Sequence, residues 1–246
     1  MIFRKTTGFV LKRTDFSETS KIVTFYTRDH GKIRALAKGA KRKKSEFLGI
    51  LEPLSLLEIV YIQKKGGLHI LTEAYLIDSN LRLREQLARI GYGLNFLSLI
   101  DRTQPDEDAD PEVFELLSSS LSALQRVVHP ENVATAFRLR LLQRFGRLPN
   151  LYRCGRCSTP LKRAALFDAR SGHFVCKACG KESQWSLPQG TLQALRRLAE
   201  IPLERCGRIR MSKGQQAEIS RVVGAMLRTA VEAELPADDV VSSLLQ

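Results

Sequence analysis

Apolar and polar residues alternate in short runs through the first third of the chain, and beyond residue 80 the apolar positions recur at helical spacing instead. In the first region Val, Ile, Leu, Phe, Tyr and Thr gather in five segments, residues 8–13, 21–27, 31–37, 54–63 and 68–76. Alternation within several of them predicts strands. Asp29-His30-Gly31 and Lys64-Lys65-Gly66-Gly67 read as tight turns, whereas residues 38–53 form a much longer link between the third and fourth strands. An SH3-like barrel would also use five short strands. The position of the long link favours an OB-type barrel.

Leu83, Leu87, Ile90, Leu94 and Leu97 are spaced by alternating gaps of four and three, which predicts one helix over residues 80–101 with these leucines facing a core. Asp110-Pro111 supplies an N-cap and a first-turn proline for a helix reaching residue 128. Further helices are predicted over 130–145, 189–200 and 212–235. The expected fold class is therefore α+β: an OB-fold domain over 1–80, then a helical domain over 81–246 interrupted by a small lobe at 151–183.

That lobe carries the most specific chemistry. Cys154-Gly-Arg-Cys157 and Cys176-Lys-Ala-Cys179 are separated by eighteen residues, a spacing that suits one tetrahedral zinc. Four thiolates close the coordination shell, so the expected cofactor is a single structural zinc that folds the lobe and activates no water. Residues 1–7 lack the apolar run of a secretory signal and no stretch reaches transmembrane length, so the chain reads as cytoplasmic, where thiols stay reduced and paired cysteines serve metals. Cys206 stands alone and is assigned no role. His173 lies between the pairs but is surplus to a complete site.

Charge adds a partner. Of 246 residues 43% are hydrophobic, enough for a sizeable core, and the net charge is +13. Residues 1–80 hold 15 Lys and Arg against 8 acids, residues 81–150 hold 9 against 9, and residues 151–246 hold 15 against 9. Basic ends around a neutral middle argue for a polyanion-binding face, with nucleic acid as the first candidate. The densest run, Lys38-Gly39-Ala40-Lys41-Arg42-Lys43-Lys44-Ser45, lies in the long link and would flank the groove of an OB barrel, with Lys32 and Arg34 on the neighbouring strand. Arg196, Arg197, Arg205, Arg208, Arg210 and Lys213 could extend the surface from the other end. Stacking faces would come from Phe9, Phe16, Phe25, Tyr26 and Phe47. Phe25 and Tyr26 are adjacent on one strand and point to opposite faces, so at most one of them is expected in a core.

Enzymatic motifs are absent. Lys38 and Lys43 occupy the positions where a phosphate-binding loop needs glycine, and no dinucleotide fingerprint, H-E-x-x-H or G-x-S-x-G occurs. A zinc-dependent nucleic-acid enzyme would need an open metal position. An adaptor whose basic surface binds acidic proteins stays as an alternative.

The stretch Glu18-Thr19-Ser20-Lys21-Ile22-Val23-Thr24-Phe25-Tyr26-Thr27, followed by Gly31-Lys32-Ile33, Ala37-Lys38-Gly39-Ala40-Lys41, Lys44-Ser45 and Leu51-Glu52-Pro53-Leu54, resembles the amino-terminal domain of the bacterial RecO family of recombination mediators. A helical region interrupted by a cysteine lobe that opens Leu151-Tyr152-Arg153-Cys154 is similar to the same family. The resemblance implies a non-enzymatic DNA repair protein associated with the nucleoid. It would bind single- and double-stranded DNA, anneal complementary strands and act with RecR to load RecA onto strands coated by single-strand-binding protein. No membrane partner is implied.

Overall fold

The computed structural model describes residues 1–180 and 184–230. It divides into two compact units, Met1–Gln125 and Arg126–Gln246. The first begins with β1 (Ile2–Asp15), β2 (Lys21–Thr27), β3 (Gly31–Ala37), β4 (Leu56–Gln63) and β5 (Leu68–Asp78), closed into a barrel in the order β1-β2-β3-β5-β4. This is the OB arrangement that the single long link predicts. β1 starts six residues before its expected position at Gly8, because its first half pairs with β4 (Ile2 opposite Gln63) and its second half with β2 (Asp15 opposite Lys21). Arg4, Lys5, Thr6 and Thr7 carry no apolar alternation, so only the pairing with β4 makes them strand.

Inside the barrel Val10, Val23, Phe25, Ile33, Ala35, Leu57, Ile59, Tyr61 and Leu71 form one apolar cluster, joined by Ala40 and Leu51 from the long link. The outside of β1 and β2 is covered as well. After a single turn α1 (Leu81–Arg84), α2 (Leu87–Thr103) and α3 (Pro111–Arg126) complete the unit. Phe9 packs its ring 5.4 Å from Phe114 of α3, and the Tyr26 hydroxyl lies 3.2 Å from both Gln104 Oε1 and Asp110 O. Phe25 and Tyr26 do point to opposite faces, yet both are fully buried. The expectation that at most one could be core fails because this sheet has a covered outer face.

The leucine stripe also needs correction. Gln86 is extended (φ −132°, ψ 120°) and separates α1 from α2, which resets the helical phase. The face of α2 that is buried carries Gly93, Phe96, Leu97, Leu99 and Ile100, while Leu87 and Leu94 are 57% and 43% exposed. Gly93 is where the helix comes closest to the long link, since a Cβ there would stand 2.9 Å from Leu54 Cδ2. Asn80 ties three segments together: its amide donates to Leu54 O (2.8 Å) and its oxygen accepts from Gln125 (2.7 Å). Asp110 caps α3 as expected, its Oδ1 accepting from the N–H groups of Glu112 and Val113 at 3.1 and 3.2 Å.

In the second unit α4 (Pro130–Arg144) is buried along most of its length, and α5 (Gln189–Glu200), α6 (Leu203–Cys206) and α7 (Lys213–Ala230) pack around it. The Asn132 amide donates to Cys206 O and Ile209 O at 3.0 and 2.8 Å, pinning the turn after α6 to the central helix. The last five residues expected in the final helix, 231–235, lie outside the described residues. Between α4 and α5 stands the lobe, a three-stranded sheet of β6 (Ala165–Asp168), β7 (His173–Val175) and β8 (Trp185–Leu187) in the order β7-β6-β8. Its expected end at 181–183 also falls outside the described residues.

Gly31 gives a direct test of how the acidic link after α2 is seated on the barrel. The residue is left-handed (φ +65°), and a Cβ would stand 2.1 Å from Asp108 O. Gly31→Ala is expected to cost about 3 kcal/mol or more in urea unfolding. Gly66→Ala, equally left-handed (φ +90°) but with nothing within 4 Å, should cost only about 1 kcal/mol.

Candidate functional site

Two cysteine-bearing turns face each other at one end of the lobe. In the first, Cys154 N–H donates to Thr159 O and Ser158 N–H returns to Cys154 O, both at 2.9 Å, while Gly155 N–H donates to Phe174 O at 2.8 Å and ties the turn to β7. In the second, Cys179 N–H donates to Cys176 O at 3.1 Å. The four Sγ atoms all lie within 4.8 Å of one another, and those of Cys157 and Cys176 are 3.7 Å apart. Four sulfurs each about 2.3 Å from one tetrahedral ion stand about 3.8 Å from one another. The set is therefore consistent with a single metal ion.

The protonation chemistry points the same way. Burial pushes the Cys154 thiol up, but N–H groups of Cys157, Cys176 and Arg156 aimed at the sulfur outweigh it and hold the group at about 6. Cys179, which shares its proton with Cys157 and Cys176, is pushed up to about 12. A cation placed among the four sulfurs would favour the thiolate form of each. Cys206 is different: it is fully buried, and burial pushes its thiol up to about 11. That environment makes it an inert core side chain.

On the barrel, the long link leaves β3 as a series of turns, and its base is pinned to the loop between β1 and β2. Lys41 N–H donates to Thr19 O at 3.0 Å, and its ammonium bonds Asp15 Oδ2 (3.0 Å) and Ser17 O (3.3 Å). The other cations of the run are free. The side chains of Lys38, Arg42, Lys43 and Lys44 are exposed and make no hydrogen bond or ion pair among the described residues, and the same is true of the Arg34 side chain, which points outward from β3. Alternation along β3 turns Arg34 to the same outer side as half-buried Leu36, and exposed Lys38 opens the turn that follows the strand. Parallel pairing of β3 with β5 sets Arg34 opposite Leu68, three residues past the exposed Lys65 of the β4–β5 hairpin. Lys64 N–H donates to His69 Nδ1 at 3.2 Å, while the ammonium groups of Lys64 and Lys65 are likewise unpartnered among the described residues. They were visible in the sequence only as a turn, and only the β3–β5 pairing relates them to Arg34.

Comparison with known proteins follows this geometry across both units. The family model described as recombination protein O N terminal matches residues 1–80, and the one described as recombination protein O C terminal matches residues 84–239. This chain belongs to the RecO family. It is 30% identical over 221 residues to the DNA repair protein RecO of Bacillus subtilis and 31% identical to that of Bacillus pumilus, in each case covering 89% of this chain and 86% of the relative. The RecO of Bacillus mycoides is 29% identical, with 90% of each chain covered. Among the described residues of this RecO-family chain no helix is long and apolar enough to cross a membrane.

The structure distributes the remaining candidates unevenly. Lys32 is half-buried, its ammonium donating to Asp101 O (2.7 Å) and pairing with Asp106 (3.2 Å), so it fastens α2 and the acidic link to the barrel. Arg196 donates from Nε and Nη2 to Leu151 O (2.9 and 2.6 Å) and from Nη2 to Leu161 O (2.8 Å), with its guanidinium 4.5 Å from the centre of the Tyr152 ring. It clamps both ends of the strand-like segment that holds the first cysteine pair onto α5. The side chains of Arg197, Arg208 and Arg210 are exposed and unpartnered among the described residues. Of the aromatic candidates Phe9, Phe25 and Tyr26 are buried and Phe47 packs on the barrel core, which leaves Phe16, 57% exposed, in the loop that Lys41 holds.

Cys176→Ala should abolish stoichiometric metal binding, read by elemental analysis, and lower the melting temperature of the second unit. Arg196→Ala should destabilise the same unit by about 2–3 kcal/mol, because two carbonyls lose a charged donor, whereas Arg197→Ala next to it should change stability by less than about 0.5 kcal/mol.

Proposed function

We propose that this chain is a non-enzymatic DNA-binding protein of repair and recombination, with the barrel over 1–80 as its principal nucleic-acid-binding domain and 81–246 as a helical domain that carries the cysteine lobe. The observation that carries the reading is the line of exposed, unpartnered cations Arg34, Lys38, Arg42, Lys43 and Lys44 along the outer side of β3 and into the loop beyond it. An OB barrel presents a groove at this edge, and cations without internal partners are available to phosphates. Lys41 acts by shaping the loop, and Phe16 offers a face for a base. The name of the relatives, DNA repair protein, supports the process.

The mechanism we infer is charge neutralisation. Complementary strands repel through their phosphates, and a protein with basic surfaces in two places can hold both while base pairing completes the annealing. Arg197, Arg208 and Arg210 provide the second surface. In this scheme the chain binds single- and double-stranded DNA in the cytoplasm and, together with RecR, helps load RecA onto strands coated by single-strand-binding protein. The cysteine set holds one structural zinc, whose work is to order the lobe.

The triple charge reversal Arg42→Glu, Lys43→Glu, Lys44→Glu tests this. It should reduce single-strand affinity about a hundredfold at low salt and shrink the slope of log affinity against log salt by about 2, with the circular dichroism spectrum unchanged. Strand annealing should fall in parallel. Unaltered affinity and slope would exclude the loop, and wild-type binding that ignores salt would favour an acidic protein as the ligand.

A further inference from the structure

A cavity of about 690 Å³ opens on the lobe, walled by Phe167 and Trp185 and by the arginines Arg156 and Arg170. It lies on a different unit from the barrel's basic edge, and no cysteine lines it. Trp185, the only tryptophan of the chain, is held in place from two directions. The Phe167 ring stands 5.9 Å away, tilted by 37°, and the Arg221 guanidinium is 4.5 Å from the indole centre. Its orientation is set, and a cation already polarises the ring.

The polar side of the cavity is equally defined. Arg156 Nη2 donates to Asp168 Oδ2 at 3.2 Å and its Nη1 to Cys179 O at 3.1 Å, so this residue, which sits within the first cysteine pair, is braced against the second. Asp168 faces the cavity as well, but its other oxygen is engaged by the backbone N–H groups of Arg170 (3.1 Å) and Ser171 (3.5 Å). The Arg170 guanidinium is exposed and has no partner among the described residues. What remains on offer is a fixed aromatic wall, one braced arginine and one free arginine, in a volume within the range of about 300–1,000 Å³ usual for ligand sites.

We propose that this cavity is a second nucleic-acid site, taking one base of a single strand against Trp185 and its phosphate at Arg170 and Arg156; the inference rests on the reading that the chain binds nucleic acid. A phosphodiester strand carries a flat apolar face and an anion at fixed spacing, which is what the walls offer. Carboxylates of an acidic peptide would meet the arginines and leave the indole uncovered. The metal centre bears on the site through Arg156, because ordering the cysteine turns also orders the cavity's polar wall.

Trp185 fluorescence reports on this site alone. With the full-length, metal-loaded protein, oligothymidylate should quench its emission, both in the wild type and in the Arg42→Glu, Lys43→Glu, Lys44→Glu variant. Arg170→Glu should weaken the quench about tenfold and Arg170→Gln less, in the same direction, with metal content unchanged. Oligonucleotide binding by anisotropy without any change in Trp185 emission would overturn the cavity site and leave the barrel reading standing. Full quenching in both Arg170 variants would overturn it too, as would equal quenching by polyglutamate, which would assign the cavity to an acidic protein. Absence of oligonucleotide binding by either measurement would overturn both readings.

Discussion

Everything in the first unit follows from the parallel pairing of β3 with β5. Strands that run antiparallel can be joined by two residues, but a barrel that closes through one parallel pair must carry the chain from the end of β3 to β4 over a long path. That path is the link from Lys38 to Ser55. Ala40 and Leu51 of this link join the barrel's interior and Phe47 and Ile50 pack against it, so the link is anchored by burial while residues 41–44 are left exposed. Five cationic side chains sit in the part nearest β3, and Lys41 draws that part against the β1–β2 loop through Asp15 and Ser17. The topological requirement for a long connection thus becomes a fixed basic edge.

The same economy of surfaces governs the outside of the sheet. With α2 and α3 laid over β1 and β2, Phe9 and Tyr26 become core residues on the side opposite Phe25, and Lys12 and Lys32 are consumed in holding Asp101. The exposed cations are confined to the part of β3 that the helices leave bare. Arg34 and Lys32 are two residues apart on one strand and face the same way, yet one is free and the other is a fastener.

In the second unit a small sheet of three short strands has little apolar area of its own, and its order depends on cross-links. The Arg196 clamp on Leu151 O and Leu161 O supplies one, and four sulfurs within 4.8 Å of one another stand where a metal ion would supply another. Arg156 joins the cysteine turns to Asp168 at the end of β6. Cysteine turns and sheet are thus braced to each other through Arg156, which also bonds Cys179 O.

Local pattern was enough for the five barrel strands, the Asp110 cap, most helix bounds and the clustering of the four cysteines, because period, capping and paired-cysteine spacing act over a few residues. It failed where a partner lies far along the chain. Residues 2–7 are strand only through β4, Tyr26 is buried only through residues beyond 100, and the break at Gln86 turned Leu87 and Leu94 to the surface. Arg196 and Arg197 are indistinguishable as text. The sequence by itself determined which chemistry this protein possesses: two cysteine pairs spaced to meet, an OB order of strands and an excess of positive charge. Only the tertiary structure decided which of those charges face solvent unpaired and which hold the fold together, since the carbonyls and carboxylates that claim a side chain come from segments brought near by packing.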